Sequence, residues 1–284
     1  MTPTDPGEPE VLCRIESGVG RITLDRPKAL HALTTNMCRL MTDALLAWRH
    51  DPAVRCVLID HSGERGFCAG GDIRMLAESG AGDAVEAREF FFTEYRLNNL
   101  LFVYPKPVVA VMDGVTMGGG VGLAMPASVR IATQRTTFAM PETGIGLRLP
   151  GRTGLWLALT GARIKGADCV ALGIATHYMP SDSLEAFKTA LLAHPDAVAG
   201  ALAGFVEDPG LARIAAHRAD IDRLFDGDSV GTILDRLTAD GGEWAAEQLA
   251  VLATKSPQTL KVAFRQLAHG AAFDAFADNM AMEY

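Results

Sequence analysis

A bilayer-spanning apolar run is missing from this 284-residue chain, so no transmembrane helix is expected. An excess of positive charge is missing too. Lys plus Arg number 26 against 34 for Asp plus Glu, a formal charge of −8. That balance speaks against a global nucleic-acid-binding surface, while a local basic patch could still hold phosphates. The five cysteines, Cys13, Cys38, Cys56, Cys68 and Cys169, are odd in number and far apart. They form neither a disulfide framework nor metal-ligand spacing, which fits a reducing compartment. The seven histidines supply no HExxH pair and no Cys/His cluster, so no metal is expected. No serine sits in a GxSxG elbow, and neither a dinucleotide fingerprint nor a P-loop is present. The N-terminal MTPTDPGEPE is polar and acidic, unlike a secretory signal or transit peptide. It reads as a disordered lead-in over residues 1–10 of a cytoplasmic protein.

What the chain has is an ordinary globular composition, 49% hydrophobic and 21% charged, with ample length for a large core. Two β-type runs, Val11 to Ile15 and Val19 to Leu24, flank Ser17-Gly18 and predict a hairpin. Helical periodicity follows over Thr34 to His50, then a buried-strand pattern over Val54 to Asp60. A short helix from Asp72 and a long one over Asp83 to Val103 come next, the latter stopped by Tyr104-Pro105-Lys106-Pro107. Apolar strands are expected at Val108–Met112 and Val129–Thr133, with a helix between them up to about Ala127. Beyond Gly161 the chain turns helical and Ala-rich, including one expected helix over Pro209–Asp226. Repeated strand-then-helix units predict an α/β fold over 11–180 with a helical region over 181–284.

Two glycine-rich turns stand out. Gly66-Phe67-Cys68-Ala69-Gly70-Gly71-Asp72-Ile73-Arg74 links a buried strand to a helix, and Asp113-Gly114-Val115-Thr116-Met117-Gly118-Gly119-Gly120 does the same. Alone, each is a tight turn of a common kind. Together they can aim two backbone N–H donors at one oxygen, the geometry of an oxyanion hole. Glu142, in Met140-Pro141-Glu142-Thr143, is a carboxylate placed to act as general base or nucleophile. Taken by itself, it is more simply a helix N-cap neighbour or a solvated surface residue. Cys68 is most simply a small buried thiol.

Taken together, FCAGGDIRML, PKPVVAVMDGVTMGGGVGLA, FAMPETGIGL and LALTGARIKGADCVALGIATHYM resemble the crotonase superfamily of enoyl-CoA hydratases and isomerases. The resemblance covers Val11 to Tyr284. Within the superfamily the chain is most similar to the 3-hydroxyisobutyryl-CoA hydrolases, through EYRLNNLLFVYPKP, MGGGVGL and SPQTLKVAFRQL. The resemblance implies a spiral of ββα units with a helical C-terminal region, and an oligomer of identical chains. It implies that the N–H groups of Gly71 and Gly119 hold the thioester oxygen and that Glu142 carries the chemistry. Lys28, Ala29 and Leu30, with Ala69, Gly70, Asp72, Ile73 and Arg74, would line the CoA site. CoA would be part of the substrate, with no separate cofactor. His31 stands where the family more often has Asn. Hydratases use a first glutamate shortly after GGG, and Gly122 stands there. The hydrolases also carry Gly at that position, which favours thioester hydrolysis in valine breakdown over hydration. A catalytically inactive acyl-CoA-binding homologue is the third alternative.

One departure from the hydrolase pattern matters. Those proteins have a Pro-Asp-Val-Gly-Gly loop, with a second catalytic Asp, after the PET-IGL segment. Here Gly146-Leu147 runs directly into Arg148-Leu149-Pro150-Gly151, shorter by about a dozen residues. No residue can be assigned that Asp role. Either the loop is deleted, or a segment is missing between Leu147 and Arg148. The second alternative is preferred, and it predicts a Cα separation there above the ~3.8 Å of a peptide link. The end at Met282-Glu283-Tyr284 is likewise early for the family.

Overall fold

The computed structural model describes residues 9–140, 149–270, 272–273 and 275–284. In chain order the strands are Val11–Glu16 (β1), Val19–Leu24 (β2), Cys56–His61 (β3), Gly66–Cys68 (β4) and Val108–Met112 (β5). Val115–Met117 (β6), Val129–Ala132 (β7), Thr137–Ala139 (β8), Ile164–Lys165 (β9) and His177–Tyr178 (β10) follow. The helices are Thr35–Trp48 (α1), Ile73–Gly80 (α2), Val85–Phe102 (α3), Gly119–Ala124 (α4), Thr153–Thr160 (α5) and Gly166–Ala171 (α6). After them come Leu184–Ala193 (α7), Val198–Ala203 (α8), Arg218–Leu224 (α9) and Val230–Asp240 (α10). Glu243–Ala253 (α11), Pro257–Gly270 (α12) and Phe276–Glu283 (α13) complete the set.

Ser17 and Gly18 supply the left-handed turn of the β1–β2 hairpin, at φ 47° and 87°. The other pairings of the six-stranded sheet, ordered β1-β2-β3-β5-β7-β10, are parallel. Both faces of this sheet are covered, so β5 and the first four residues of β3, 56–59, read as unbroken apolar runs. Side chains still alternate between the faces. Val57, Ile59, Val108, Ala110 and Met112 join the larger core, under α1 and α3. Cys56, Leu58, Val109 and Val111 face Phe187, Leu191, Val198 and Leu202 on α7 and α8.

The fold is the mixed α/β arrangement with a helical C-terminal region that the sequence predicts. The strands of a second sheet, ordered β4-β6-β8-β9, are not individually read from the sequence, because they are too short to show a period. The helix expected over Pro209–Asp226 is interrupted. A 3-10 turn at Arg213–His217 precedes α9, Gly210 sits at φ 75°, and the Ile214 N–H donates to the buried Asp168 carboxylate at 2.9 Å. That tertiary hydrogen bond captures a backbone donor that a continuous helix would turn inward. Residues 1–8 of the expected lead-in lie outside the described residues. Glu10 is already anchored, accepting from the Asp25 N–H at 2.8 Å and pairing with Arg26 at 3.0 Å.

Candidate active site

The second sheet builds the site. β4 and β6 pair in parallel, with Gly66 opposite Val115 and Cys68 opposite Thr116. The two glycine-rich turns therefore leave the sheet side by side. A Cβ on Gly70 would stand 3.1 Å from the Gly119 nitrogen and 3.2 Å from Gly118 Cα. Gly70 has φ 102° and Gly118 φ 49°, ψ −126°, backbone that glycine alone adopts cheaply. Among the described residues, nothing accepts a hydrogen bond from the N–H of Gly71 or of Gly119. Both donors belong to loops in van der Waals contact, which is what two-point recognition of one oxygen requires.

A third segment braces the first loop. Pro27–Ala29 forms a 3-10 turn, after which Leu30 and His31 take φ 50° and 54°. Holding two such residues costs about 1–2 kcal/mol each. The Leu30 carbonyl accepts from the Ala69 N–H at 3.0 Å, and the Leu33 N–H donates to the Gly70 carbonyl at 2.7 Å. The Asp72 N–H donates to the Leu33 carbonyl at 3.0 Å. Leu30 and Ala69, two residues picked out by the resemblance, are thus brought together.

The sequence reading missed two polar residues on α3. Glu94 is 4% exposed, and a Cβ on Gly119 would meet its Oε1 at 2.1 Å. One turn on, Asn98 is 1% exposed, and a Cβ on Gly122 would meet its Nδ2 at 2.6 Å. The (i, i+4) pair on α3 faces the (i, i+3) glycines of α4. Among the described residues, Asn98 Oδ1 and Nδ2 have no hydrogen-bond partner. The signal was available: Glu94 and Asn98 interrupt the stripe of Phe90, Leu97 and Leu101 that α3 buries. The Glu94 charge is felt around it. Burial first, and Glu94 second, hold the Glu283 carboxyl up at about 8. Burial also pushes the Cys68 thiol up to about 12, so it stays protonated.

The remaining expected residues are placed as follows. Asp72 caps α2, its Oδ1 accepting from the N–H of Arg74 at 3.2 Å and of Met75 at 3.4 Å. Its Oδ2 pairs with Arg26 at 3.3 Å. Ile73 is 73% exposed. Lys28 and Arg74 are exposed. Ala29 is half-buried and accepts from the Ala32 N–H at 3.0 Å. Glu142 and the Leu147–Arg148 junction lie outside the described residues.

The family model described as Enoyl-CoA hydratase/isomerase matches residues 19–284. A curated relative, the mitochondrial 3-hydroxyisobutyryl-CoA hydrolase of Xenopus tropicalis, is 43% identical over 286 residues, 93% of this chain and 74% of that protein. Its Homo sapiens counterpart is 39% identical over 301 residues, 99% of this chain and 78% of that protein. Among solved structures, a carnitinyl-CoA dehydratase from Mycobacterium thermoresistibile is 42% identical with a TM-score of 0.93, covering 98% of this chain and 84% of that one. An enoyl-CoA hydratase from Rhodobacter sphaeroides 2.4.1 is 37% identical with a TM-score of 0.88, covering 97% and 83%. The expectation of a cytoplasmic protein is corrected by these comparisons, because the curated relatives are named as mitochondrial enzymes.

Proposed function

The chain belongs to the enoyl-CoA hydratase/isomerase family, and from that premise we propose that it hydrolyses a short branched 3-hydroxyacyl-CoA, 3-hydroxyisobutyryl-CoA, in valine breakdown. The observation that carries the choice of hydrolysis over hydration is Gly122 packed on Asn98. A Cβ there meets the Asn98 amide at 2.6 Å, so a side chain at 122 enters only by displacing Asn98. Water addition across a double bond normally draws on two acid–base groups, and the position just after the GGG run, where hydratases carry the first of them, is Gly122 here. The names of the curated relatives support the same choice.

In this reading the thioester carbonyl oxygen lies against the N–H groups of Gly71 and Gly119. Charge grows on that oxygen as the tetrahedral intermediate forms, and each fixed donor is worth roughly 3–4 kcal/mol. Glu142 either activates the attacking water or attacks the carbonyl itself and forms a transient anhydride. On either route the tetrahedral intermediate collapses with cleavage of the C–S bond and departure of the CoA thiolate, helped by the acidity of a thiol relative to an alcohol. On the anhydride route water then hydrolyses the anhydride, releasing the acid and restoring Glu142. Glu94, buried at Gly119, supplies a carboxylate to orient the substrate hydroxyl. Lys28, Leu30, Ala69 and Arg74 contribute to the CoA site. The substrate brings CoA with it, no further cofactor takes part, and the protein works as an assembly of identical chains.

The test is release of CoA thiol from 3-hydroxyisobutyryl-CoA, with crotonyl-CoA hydration measured alongside and Glu142→Ala as control. Cys38, Cys56, Cys68 and Cys169 are buried, which keeps the protein's own thiol background low. Thiol release that disappears in Glu142→Ala is the expected result. Hydration without thiol release defeats the proposal.

A further inference from the structure

Leu30 and His31 are consecutive non-glycine residues in left-handed backbone, at φ 50° and 54°. Such a pair persists only where its surroundings over-determine it. The His31 side chain is one such constraint, beside the His31 N–H that donates to the Arg26 carbonyl at 2.9 Å. The side chain is 1% exposed, with Nδ1 3.0 Å from the Arg26 backbone nitrogen and Nε2 3.0 Å from the Ser62 carbonyl oxygen. A backbone N–H can only donate and a carbonyl can only accept. The ring is therefore the neutral tautomer with its hydrogen on Nε2. Burial, and then the neighbouring His61, hold its pKa down to about 4, in keeping with that tautomer. Asp25 and Arg26 are the other charged groups that act on it. The His61 ring lies 5.4 Å away, centroid to centroid.

The turn held in this way is sewn to the first glycine loop. The Cys68 thiol donates to the His31 carbonyl at 3.2 Å. Ala69 donates to Leu30, Leu33 to Gly70, and Asp72 to Leu33. Gly71 sits inside this stitching as the bridge partner of Leu33. The residue facing its partner across such a parallel bridge leaves its own N–H and C=O pointing to the other side. The direction of the Gly71 N–H is thus set by the 30–33 segment, and the imidazole ties that segment to Arg26 and Ser62.

We propose that His31 is a positioning residue for thioester hydrolysis, clamping the 30–33 turn between the Arg26 N–H and the Ser62 carbonyl so that the Gly71 N–H stays aimed at the substrate oxygen. The inference rests on the hydrolase reading above. His31 touches no reacting atom, and its effect falls on the chemical step.

His31→Leu and His31→Asn test it in the full chain. Leu keeps bulk but loses both hydrogen bonds and disfavours the left-handed backbone. Asn tolerates that backbone and keeps an acceptor. The expected outcome for His31→Leu is kcat on 3-hydroxyisobutyryl-CoA lower by about 30- to 100-fold, with KM within about threefold, the scale of a small misplacement at a reacting centre. His31→Asn is expected to stay within about threefold of wild type in kcat. Hydrogen exchange at the Leu33, Ala69 and Asp72 amides should quicken in His31→Leu and remain near wild type in His31→Asn. A folded His31→Leu protein with wild-type kcat overturns the proposal, as does a change confined to melting temperature. If His31→Leu does not fold, His31→Gln is read in its place: a kcat loss of about tenfold supports the role, and wild-type kcat overturns it. Wild-type protein that releases no thiol defeats the hydrolase reading alone. The exchange measurement then decides whether His31 holds the loop.

Discussion

The Glu94 carboxylate lies against Gly119, so closely that a Cβ on that glycine would stand 2.1 Å from Oε1. Glycine at 119 is favoured by its neighbour on α3 rather than by its own backbone, since it is the first residue of α4. A methyl group there must displace the carboxylate, Leu33 Cδ1 at 3.0 Å, or the loop that carries the Gly119 N–H. Gly119→Ala is therefore expected to lower kcat for thiol release by about 10²-fold or more. Wild-type kcat in that variant would remove Gly119 from the site.

Glu94→Gln keeps the shape of the side chain and removes its charge. It is expected to lower kcat/KM for the 3-hydroxyacyl ester by about 10- to 100-fold. The same variant should titrate Glu283 nearer the ordinary carboxylate range, since Glu94 is one of the two causes that raise it. A carboxyl-resolved NMR titration of Glu283 reads the second effect independently of turnover.

Glu283 also predicts a pH dependence of stability. Its folded pKa of about 8 stands above the unfolded value of 4.5. Between those values the folded chain binds a proton that the unfolded chain has lost. The contribution of this group to stability therefore declines as pH rises from about 4.5 through 8. Glu283→Gln should flatten the slope of melting temperature against pH across that window. An unchanged slope would show that Glu283 is not held protonated.

Asn98→Leu keeps the branch point and the number of side-chain heavy atoms and deletes two buried polar groups without described partners. Unfolding free energy is expected to rise by about 1 kcal/mol or more in urea denaturation. In contrast, Gly122→Ala drives a methyl group to 2.6 Å from Asn98 Nδ2 and is expected to destabilise by about 1–3 kcal/mol. A stabilising Gly122→Ala would mean that α3 and α4 separate easily, and would weaken the argument against a carboxylate at 122.

Asp60 anchors the opposite face of the large sheet. It accepts from Thr23 Oγ1 at 2.7 Å and from Arg21 Nη2 at 2.7 Å, and pairs with Lys188 Nζ at 3.0 Å. Burial alone would raise its pKa, but Lys188, Arg21 and Thr23 outweigh burial and lower it. The resulting stability is present above the unfolded value of 3.8 and is lost as pH falls through the folded one. Lys188→Met should cost about 3 kcal/mol, the low end for orphaning a buried charge, because Arg21 remains. The acid-unfolding midpoint should move to higher pH in the same variant.

The repeated strand-to-helix units, the hairpin at Ser17-Gly18 and the two glycine-rich turns were legible in the sequence by itself. Each is written within a few neighbouring residues, as side-chain period or as glycine where the backbone must turn left. The sequence also held the motifs that mark the family. What brings Gly70 against Gly119 is the pairing of β4 with β6, strands of three residues each, whose partners only the folded chain selects. Glu94 looked like any polar position on a long helix until α3 packed on α4 and took its carboxylate out of water. His31 reads locally as a departure from a more usual Asn. Its meaning comes from Ser62, 31 residues away, because a hydrogen bond across that separation forms only after β3 has brought its C-terminal end beside the turn. Short-range pattern determined the elements and their chemistry, and long-range packing decided which polar groups are buried together and which way their hydrogens point.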